Sequence, residues 1–399
     1  MLKAYKFRLY PNKTTSERMQ WVLDRCRELY NAALQERKEA YKYAGKSLSK
    51  FEQMRSVTEI KADIRLEYQD IGSHVLQDVI KRLGKAFDRF FQRVKVGETP
   101  GYPRFQGRNR YESFCYPDTS GWKIEGKILH LTKMGDIKIK LHRSMIGKIK
   151  TCTIKREGEH WSVVFACEVK TSSKLADSDE SVGIDLGVSH LATLSTGDTI
   201  DNPRHVRKGE KKLARLQRSL ARKKRGSHRR KKVVKQVAKA HRKVRHQRAD
   251  FLHKASRHLV NLYGLMVFEE LQPANMSKRA KPKQDASGAY LLNGGSAKSG
   301  LNKSIQDAGW NQFVQYCSYK AEDAGRTVVQ VNPRYTSQIC SGCGAIKKKE
   351  LSERWHSCDC GTERDRDHNA ALNILRLGRS QQVLYSRVSG GSLVEAVGL

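Results

Sequence analysis

Three acidic side chains sit where an acid is least expected. Asp185 follows the apolar run Val182-Gly183-Ile184, just ahead of a glycine-containing turn. Glu269 ends the apolar run Leu265-Met266-Val267-Phe268, and its neighbour Glu270 faces the other side of any strand formed there. Asp367 precedes a segment carrying Ala371, Leu372 and Leu375 at helical spacing, with Asp365 two residues earlier. Taken singly, each acid has a plain role: a turn residue at 185, an N-cap at 365 or 367, one exposed member of the pair 269 and 270. Taken together, two strand-end acids and one helix-start acid supply what a two-metal phosphodiesterase centre needs. Carboxylate oxygens are the hard ligands that magnesium prefers, and paired ions activate water and stabilise the leaving oxygen.

A second set of residues points to a different metal. Nine cysteines occur, but only Cys340, Cys343, Cys358 and Cys360 cluster. Cys26, Cys115, Cys152, Cys167 and Cys317 are scattered among apolar residues, where a reduced cysteine behaves as a small core side chain. With no export signal the compartment is reducing, so the cluster reads as a closed four-thiolate site for structural zinc, with no open position for catalysis. The second pair is separated by one residue where two is usual, and His356 is an alternate ligand.

The elements that must position these groups can be read from periodicity. Tyr5, Phe7 and Leu9 alternate with Lys6, Arg8 and Tyr10, a short strand ending at Pro11. Thr14 with Glu17 matches a capping box for a helix bearing Val22, Cys26, Leu29 and Ala33. A second helix, with Ser73 as its expected cap, carries Leu76, Val79, Leu83, Phe87, Phe90 and Val94. From about 120 to 170 the period becomes two, with a hairpin over 149 to 169 turning at Glu157-Gly158. The first strand then belongs to this β domain, and the helical block is an insertion.

Charge dominates the composition. Lysine and arginine number 77 against 41 acids, a formal net charge of +36 in 399 residues. Such an excess calls for a polyanion, and a phosphate backbone gains affinity from each cation that displaces counterions. A membrane partner fits poorly, because no long apolar span, lipidation signal or secretory leader is present. Residues 204 to 248 hold 21 lysines and arginines in 45 positions against one acid, Glu210. Leu213, Leu216 and Leu220, then Val233, Val237 and Val244, predict two basic amphipathic helices broken near Gly226-Ser227.

The segments GIDLGVSHLATLSTG, VFEEL followed by NM, SIQDAGW, and CSGC…CDCG…DRDHNAALNIL together resemble the TnpB (OrfB) proteins of insertion-sequence transposons, relatives of the compact type V CRISPR effector nucleases. The resemblance is densest from about 182 to 378 and extends to YKFRLYPN and GYPRF. It implies an α/β multidomain protein with a RuvC-like, RNase H-type nuclease domain, an inserted zinc ribbon and a β-barrel-like wedge domain carrying a helical insertion. It assigns magnesium-dependent DNA cleavage to Asp185, Glu269 and Asp367, the guide being RNA from the transposon end and the target double- or single-stranded DNA beside a short adjacent motif. Gln77 is a candidate for reading that motif.

The expected organisation follows. Residues 1–12 and 101–178 form the wedge, 13–100 the recognition domain, and 179–335 the first part of the nuclease, with the basic hairpin at 204–248 and a flexible lid at 277–303. Residues 336–366 form the zinc ribbon, 367–378 the last nuclease helix, and 379–399 a disordered tail. The family implies a cytoplasmic, nucleoid-associated protein of a bacterium or archaeon. The alternatives are a CRISPR effector of similar build and an RNA-guided binding regulator that does not cut. The acids suit strand cleavage, and no residue specifies strand transfer.

Overall fold

The computed structural model describes residues 2–108, 110–169, 174–350 and 353–389, with side chains to 381. The chain forms two compact units, Met1–Thr171 and Ser172–Leu399. Residues 174–178, expected to close the wedge, go with the second unit: Leu175 N–H donates to the Ala324 carbonyl at 3.0 Å and the Ser178 hydroxyl to the Leu262 carbonyl at 3.2 Å.

The first unit opens with β1 (Leu2–Tyr10), then α1 (Lys13–Ala44), α2 (Lys50–Glu59) and α3 (Ser73–Lys95). Six strands follow: β2 (Ser113–Tyr116), β3 (Trp122–Glu125), β4 (Ile128–Leu131), β5 (Gly135–Lys140), β6 (Lys148–Glu157) and β7 (His160–Glu168). They form one antiparallel sheet in the order β2-β6-β7-β1-β5-β4-β3. Strand β1 lies between β7 and β5, so the chain leaves the sheet after Tyr10, runs through three helices and returns at β2. Tyr5, Phe7 and Leu9 are buried with Trp161, Val163 and Phe165 from β7, and this face shares one core with Met19, Leu23 and Leu76 of the helices. The sheet curls until its edges approach, for the Tyr116 hydroxyl in β2 donates to the Thr132 carbonyl just after β4 at 3.1 Å.

Both helix caps differ from expectation. Asn12, not Thr14, caps α1, its side chain accepting from Thr15 N–H at 2.7 Å. Helix α3 begins at Ser73 itself, with Gly72 at the N-cap and no side-chain cap bond. In each case the backbone turns one or two residues earlier than the sequence signal.

The second unit is built on β8 (Ser181–Leu186), β9 (His190–Leu194), β10 (Thr199–Asp201), β11 (Leu265–Glu269) and β14 (Thr327–Val331), in the order β10-β9-β8-β11-β14. Strands β10, β9 and β8 are antiparallel neighbours, whereas β8, β11 and β14 run parallel. Between β10 and β11 lie α4 (His205–Ala221) and α5 (His228–Leu262). After β11 come α6 (Pro273–Met276), a small hairpin of β12 (Lys283–Gln284) and β13 (Tyr290–Leu291), then α7 (Gly295–Ala308) and α8 (Trp310–Ala324). Strands β15 (Trp355–Ser357) and β16 (Glu363–Asp365) form a hairpin, and α9 (Arg366–Ser389) is the last element.

Every residue of β11 is buried, as befits a parallel strand covered on both faces. Val182, Ile184, Met266 and Phe268 face a core shared with α5 and α8, whereas Leu265 and Val267 pack with Ile374 of α9. Helix α9 crosses the sheet closely enough to require glycine at two points. A Cβ at Gly183 would lie 2.0 Å from the Ala371 carbonyl, and one at Gly378 would lie 2.4 Å from Val267.

Two expectations are corrected here. Residues 295–303, assigned to a flexible lid, are the first turns of α7; Ile305 and Ala308 of that helix are buried and anchor it despite its Ser-Gly-Lys-rich start. Helix α9 does not close at Gly378 but runs to Ser389, because Gly378 serves close packing and not termination. The remainder of the expected tail, 390–399, lies outside the described residues.

Candidate active site

Strand register explains how two of the acids meet. Val267 pairs with Gly183 and Phe268 with Ile184 in the parallel pair. One further step sets Glu269 beside Asp185, both on the face that α9 covers. Glu270 is exposed and points away, its N–H donating to the Val331 carbonyl at 2.8 Å. The third acid arrives at the start of α9. There Asp365 takes the capping role, its carboxylate accepting from Asp367 N–H at 2.8 Å and His368 N–H at 3.1 Å. The Asp367 side chain is thereby released from helix duty. The structure thus places Asp185, Glu269 and Asp367 near enough for their charges to interact, and it separates Glu269 from Glu270 and Asp367 from Asp365.

Their electrostatics disfavour three free carboxylate charges side by side. Burial, then the charges of Glu269 and Asp367, push Asp185 well above the usual carboxylate range. Burial also raises Glu269, with a hydrogen bond from Thr336 opposing it and Asp367 adding to it. Asp367 is raised by burial and by Asp365, against the opposing charges of Arg354, Arg366 and His190. Clustered like charges out of water are unfavourable until a cation neutralises them, and three carboxylates are a donor set that suits magnesium.

The four cysteines converge independently. Their sulfur atoms all lie within 4.8 Å of one another, with Cys340 and Cys360 at 3.6 Å and Cys343 and Cys358 at 3.6 Å. A disulfide needs about 2.05 Å, whereas a tetrahedron with bonds of about 2.3 Å has edges near 3.8 Å. The thiols therefore fit one zinc ion. Two tight turns set them up: Gly344 N–H donates to the Cys340 carbonyl and Gly361 N–H to the Cys358 carbonyl, each at 2.9 Å, and both glycines have positive φ. The one-residue spacing of the second pair is accommodated by this turn. Burial works to raise the Cys340 thiol, but the Cys343 N–H, the His356 ring and the Gly342 N–H outweigh it and bring it down to about 5. His356 is fully buried, lies outside the sulfur cluster and has its Nδ1 against the Lys349 ammonium. It is a neighbour of the site, and the cysteines alone form the cluster.

The basic segment forms two helices, α4 and α5, with a groove of about 660 Å³ between them lined by Lys208, Lys212, Arg215, Lys239 and Lys243. Helix α4 has no cap of its own and is preceded by Arg204 at positive φ. Asp307 of α7 supplies the cap instead: its two carboxylate oxygens each accept from Val206 N–H at 3.0 Å. In the first unit, Gln77 lines a cavity of about 450 Å³ with Lys61, Gln69, Ser73 and Lys133. Asp307, Thr336, Asn369 and Asn373 were not singled out from sequence. All four are buried in the fold; Asp307, Asn369 and Asn373 stand beside apolar residues in the sequence, whereas Thr336 lies in a polar stretch with no such signal.

Comparison with known proteins places this arrangement. A family described as "Probable transposase" (OrfB of IS605) matches residues 164–280, a "Cas12f1-like, TNB domain" matches 310–374, and a "Helix-turn-helix domain" of the same OrfB group matches 1–46. The chain is 31% identical over 393 residues to the putative RNA-guided DNA endonuclease InsQ of Escherichia coli (strain K12), covering 98% of this chain and 96% of that one. The chain belongs to the TnpB (OrfB) family. A putative RNA-guided DNA endonuclease of Streptomyces pristinaespiralis is also 31% identical, over 94% of this chain and 89% of its own. The protein in a cryo-EM structure of a Cas12f1–sgRNA–target DNA complex shares the fold, with a TM-score of 0.55 and 15% identity over 91% of this chain and 83% of that one. Among the described residues, the matched range 1–46 contains one strand and one 32-residue helix and no helix-turn-helix. Among the described residues no helix is long and apolar enough to cross a membrane.

Proposed function

We propose that this protein is an RNA-guided DNA endonuclease in which Asp185, Glu269 and Asp367 hold the catalytic metal. The observation that carries the reading is the meeting of these acids on the α9 face of the sheet, each held above its usual pKa by burial. Two magnesium ions bound there would activate water for attack on a phosphodiester and stabilise the leaving oxygen. The chain's part is to present hard oxygen ligands from two adjacent strand ends and one helix start, on a frame too tightly packed to relax.

The sheet of the second unit, with its antiparallel and parallel halves and α9 across one face, supports a RuvC-like, RNase H-type domain at 179–335 and 367–378. The four-cysteine segment at 336–366 is its zinc ribbon, which binds target nucleic acid. In the first unit, the approach of the sheet's edges supports a barrel-like wedge at 1–12 and 101–178, and 13–100 is the recognition domain. The guide is RNA from the transposon end, held with double- and single-stranded target DNA by phosphate contacts such as the α4–α5 groove offers. Gln77, beside Lys61 and Lys133, reads the target-adjacent motif. The protein works in the cytoplasm, on the nucleoid of a bacterium or archaeon.

The test is to purify the protein with its RNA, sequence that RNA, and assay matched DNA with and without magnesium. Magnesium-dependent cleavage is expected, and Asp185→Ala should lower its rate by at least about 1,000-fold, since metal stabilisation is worth several kcal/mol. An alanine variant cutting at the wild-type rate would sink the assignment.

A further inference from the structure

Glu269 is not held by its strand alone. Thr336, 3% exposed, donates its hydroxyl to Glu269 Oε1 from the stretch between β14 and Cys340. A hydroxyl has one proton on a free rotor, so its aim depends on the backbone that carries it. That backbone is tied to α9. Asn373 donates to the Thr336 carbonyl at 2.9 Å and to the Ile339 carbonyl at 2.7 Å. Asn369 donates to the same Ile339 carbonyl at 2.7 Å and accepts from Ser341 N–H at 2.9 Å.

Both asparagines are almost wholly buried, on the inward face of α9 beside Ala370, Ala371 and Ile374. A buried amide without partners is costly; the N–H groups of both asparagines and the oxygen of Asn369 find theirs in a single stretch, residues 336–341, while the Asn373 oxygen is left without a partner among the described residues. The first turn of the same helix carries Asp367. One helix therefore bears the third acid, clamps the residue that orients the second, and fixes the backbone delivering Cys340 to the thiol cluster.

We propose that Thr336 is a positioning residue for Glu269, locked to α9 by Asn369 and Asn373, so that the carboxylate cluster takes its geometry from the chain entering the cysteine knuckle. The proposal deepens the reading of Glu269 as a metal-holding carboxylate and rests on it. The terminal torsion of a glutamate is broad, and anchoring one oxygen fixes the plane of the group. Partners of this kind change metal affinity or activity by about 10- to 100-fold when removed. The competing account is purely local: the Thr336 hydroxyl also lies 3.2 Å from the Pro333 carbonyl, an ordinary turn contact.

The experiment titrates magnesium against DNA cleavage by the full-length protein with its RNA, alongside zinc content and melting temperature. Thr336→Val keeps the shape and removes the hydroxyl. It should retain zinc and melt near wild type, yet need about 10-fold more magnesium or more for half-maximal cleavage. Thr336→Ser should restore the wild-type curve. An unshifted magnesium curve for the valine variant, or a serine variant as impaired as valine, overturns the proposal. Should the valine variant lose zinc or melt early, Thr336→Ala is read in the same way. If it also melts early, the residue is structural and the positioning role is rejected. Glu269→Gln cutting at the wild-type rate would instead overturn the reading of the site, whatever Thr336 does.

Discussion

The second unit holds two clusters of metal-suited side chains that are assembled by opposite means. The thiols come from two short turns close together in the chain, Cys340–Cys343 and Cys358–Cys360, with two of the four exposed. Little apolar packing surrounds them; the turns are hydrogen-bonded, and β15–β16 is three residues per strand. The carboxylates come from β8, β11 and α9, elements far apart in sequence, with α9 lying close against the strands at Gly183 and Gly378. Past residue 341 the first cluster has little besides its turns and thiols to hold its backbone, whereas the acids of the second are held by strand pairing and by the packing of α9. Structural zinc contributes folding energy outright; a catalytic site must stand ready and unrelaxed.

The largest test of that contrast is Cys340→Ser. Structural zinc sites in small fingers are worth about 10–16 kcal/mol, far more than the few contacts of the knuckle. The variant should lose its zinc, and amides from 342 to 362 should exchange freely with solvent, while those of β8 and β11, and the stretch 336–341 that α9 clamps, stay protected. Retained protection of the knuckle in the zinc-free protein would break the comparison, because packing would then be holding it.

The carboxylate side predicts a gain. Asp185 has its pKa well above the usual range in the folded protein, with burial as the first cause and the charges of Glu269 and Asp367 next. The folded state thus keeps a proton that the unfolded state releases. Stability falls as pH rises from the ordinary carboxylate range through the raised folded value. Asp185→Asn removes that loss. With divalent ions chelated at neutral pH, this variant should melt higher than wild type, by about 2–4 °C for each kcal/mol of repulsion relieved. Added magnesium should raise the wild-type melting temperature and leave that of the variant nearly unchanged. A variant that melts lower in chelator would show that the acid is satisfied within the protein.

The same contrast explains what could be read from sequence. The thiol cluster was legible from spacing alone, because its ligands and its turns are local. The acids were legible only as a set. Register decides between Glu269 and Glu270, and register comes from pairing with β8, which no local pattern reveals. The long strands and helices followed their periodicity, as at β1, β6, β7 and α3. Misses fell where tertiary contact overrides local signal: α7 continues through a glycine- and serine-rich start because Ile305 and Ala308 are buried, and Gly378 looked like a helix end but is a packing contact. Thr336, Asn369 and Asn373 escaped notice because their roles are hydrogen bonds across the fold. The family resemblance, not the residues' chemistry, supplied the guide RNA.

The smallest expected effect separates two aspartates on the same turn. Asp365 accepts from two backbone N–H groups at the start of α9, and Asp367 does not cap at all. Asp365→Ala should therefore cost about 1 kcal/mol, the usual loss for an N-cap, measured by chemical denaturation. The Asp365 charge also pushes Asp367 up, so its removal should ease ionisation of Asp367 and shift any acid limb of the cleavage profile to lower pH. Cleavage at neutral pH should persist, because the ligand set is intact and the helix is anchored along its length by Gly183, Ile374 and the two asparagines. Asp367→Asn should do the reverse, leaving stability at or above wild type, since burial raises the Asp367 pKa as well, and removing cleavage. If Asp365→Ala removed cleavage as fully as Asp367→Asn, capping and coordination would not be separable at this helix start, and the division of labour between the two acids would have to be redrawn.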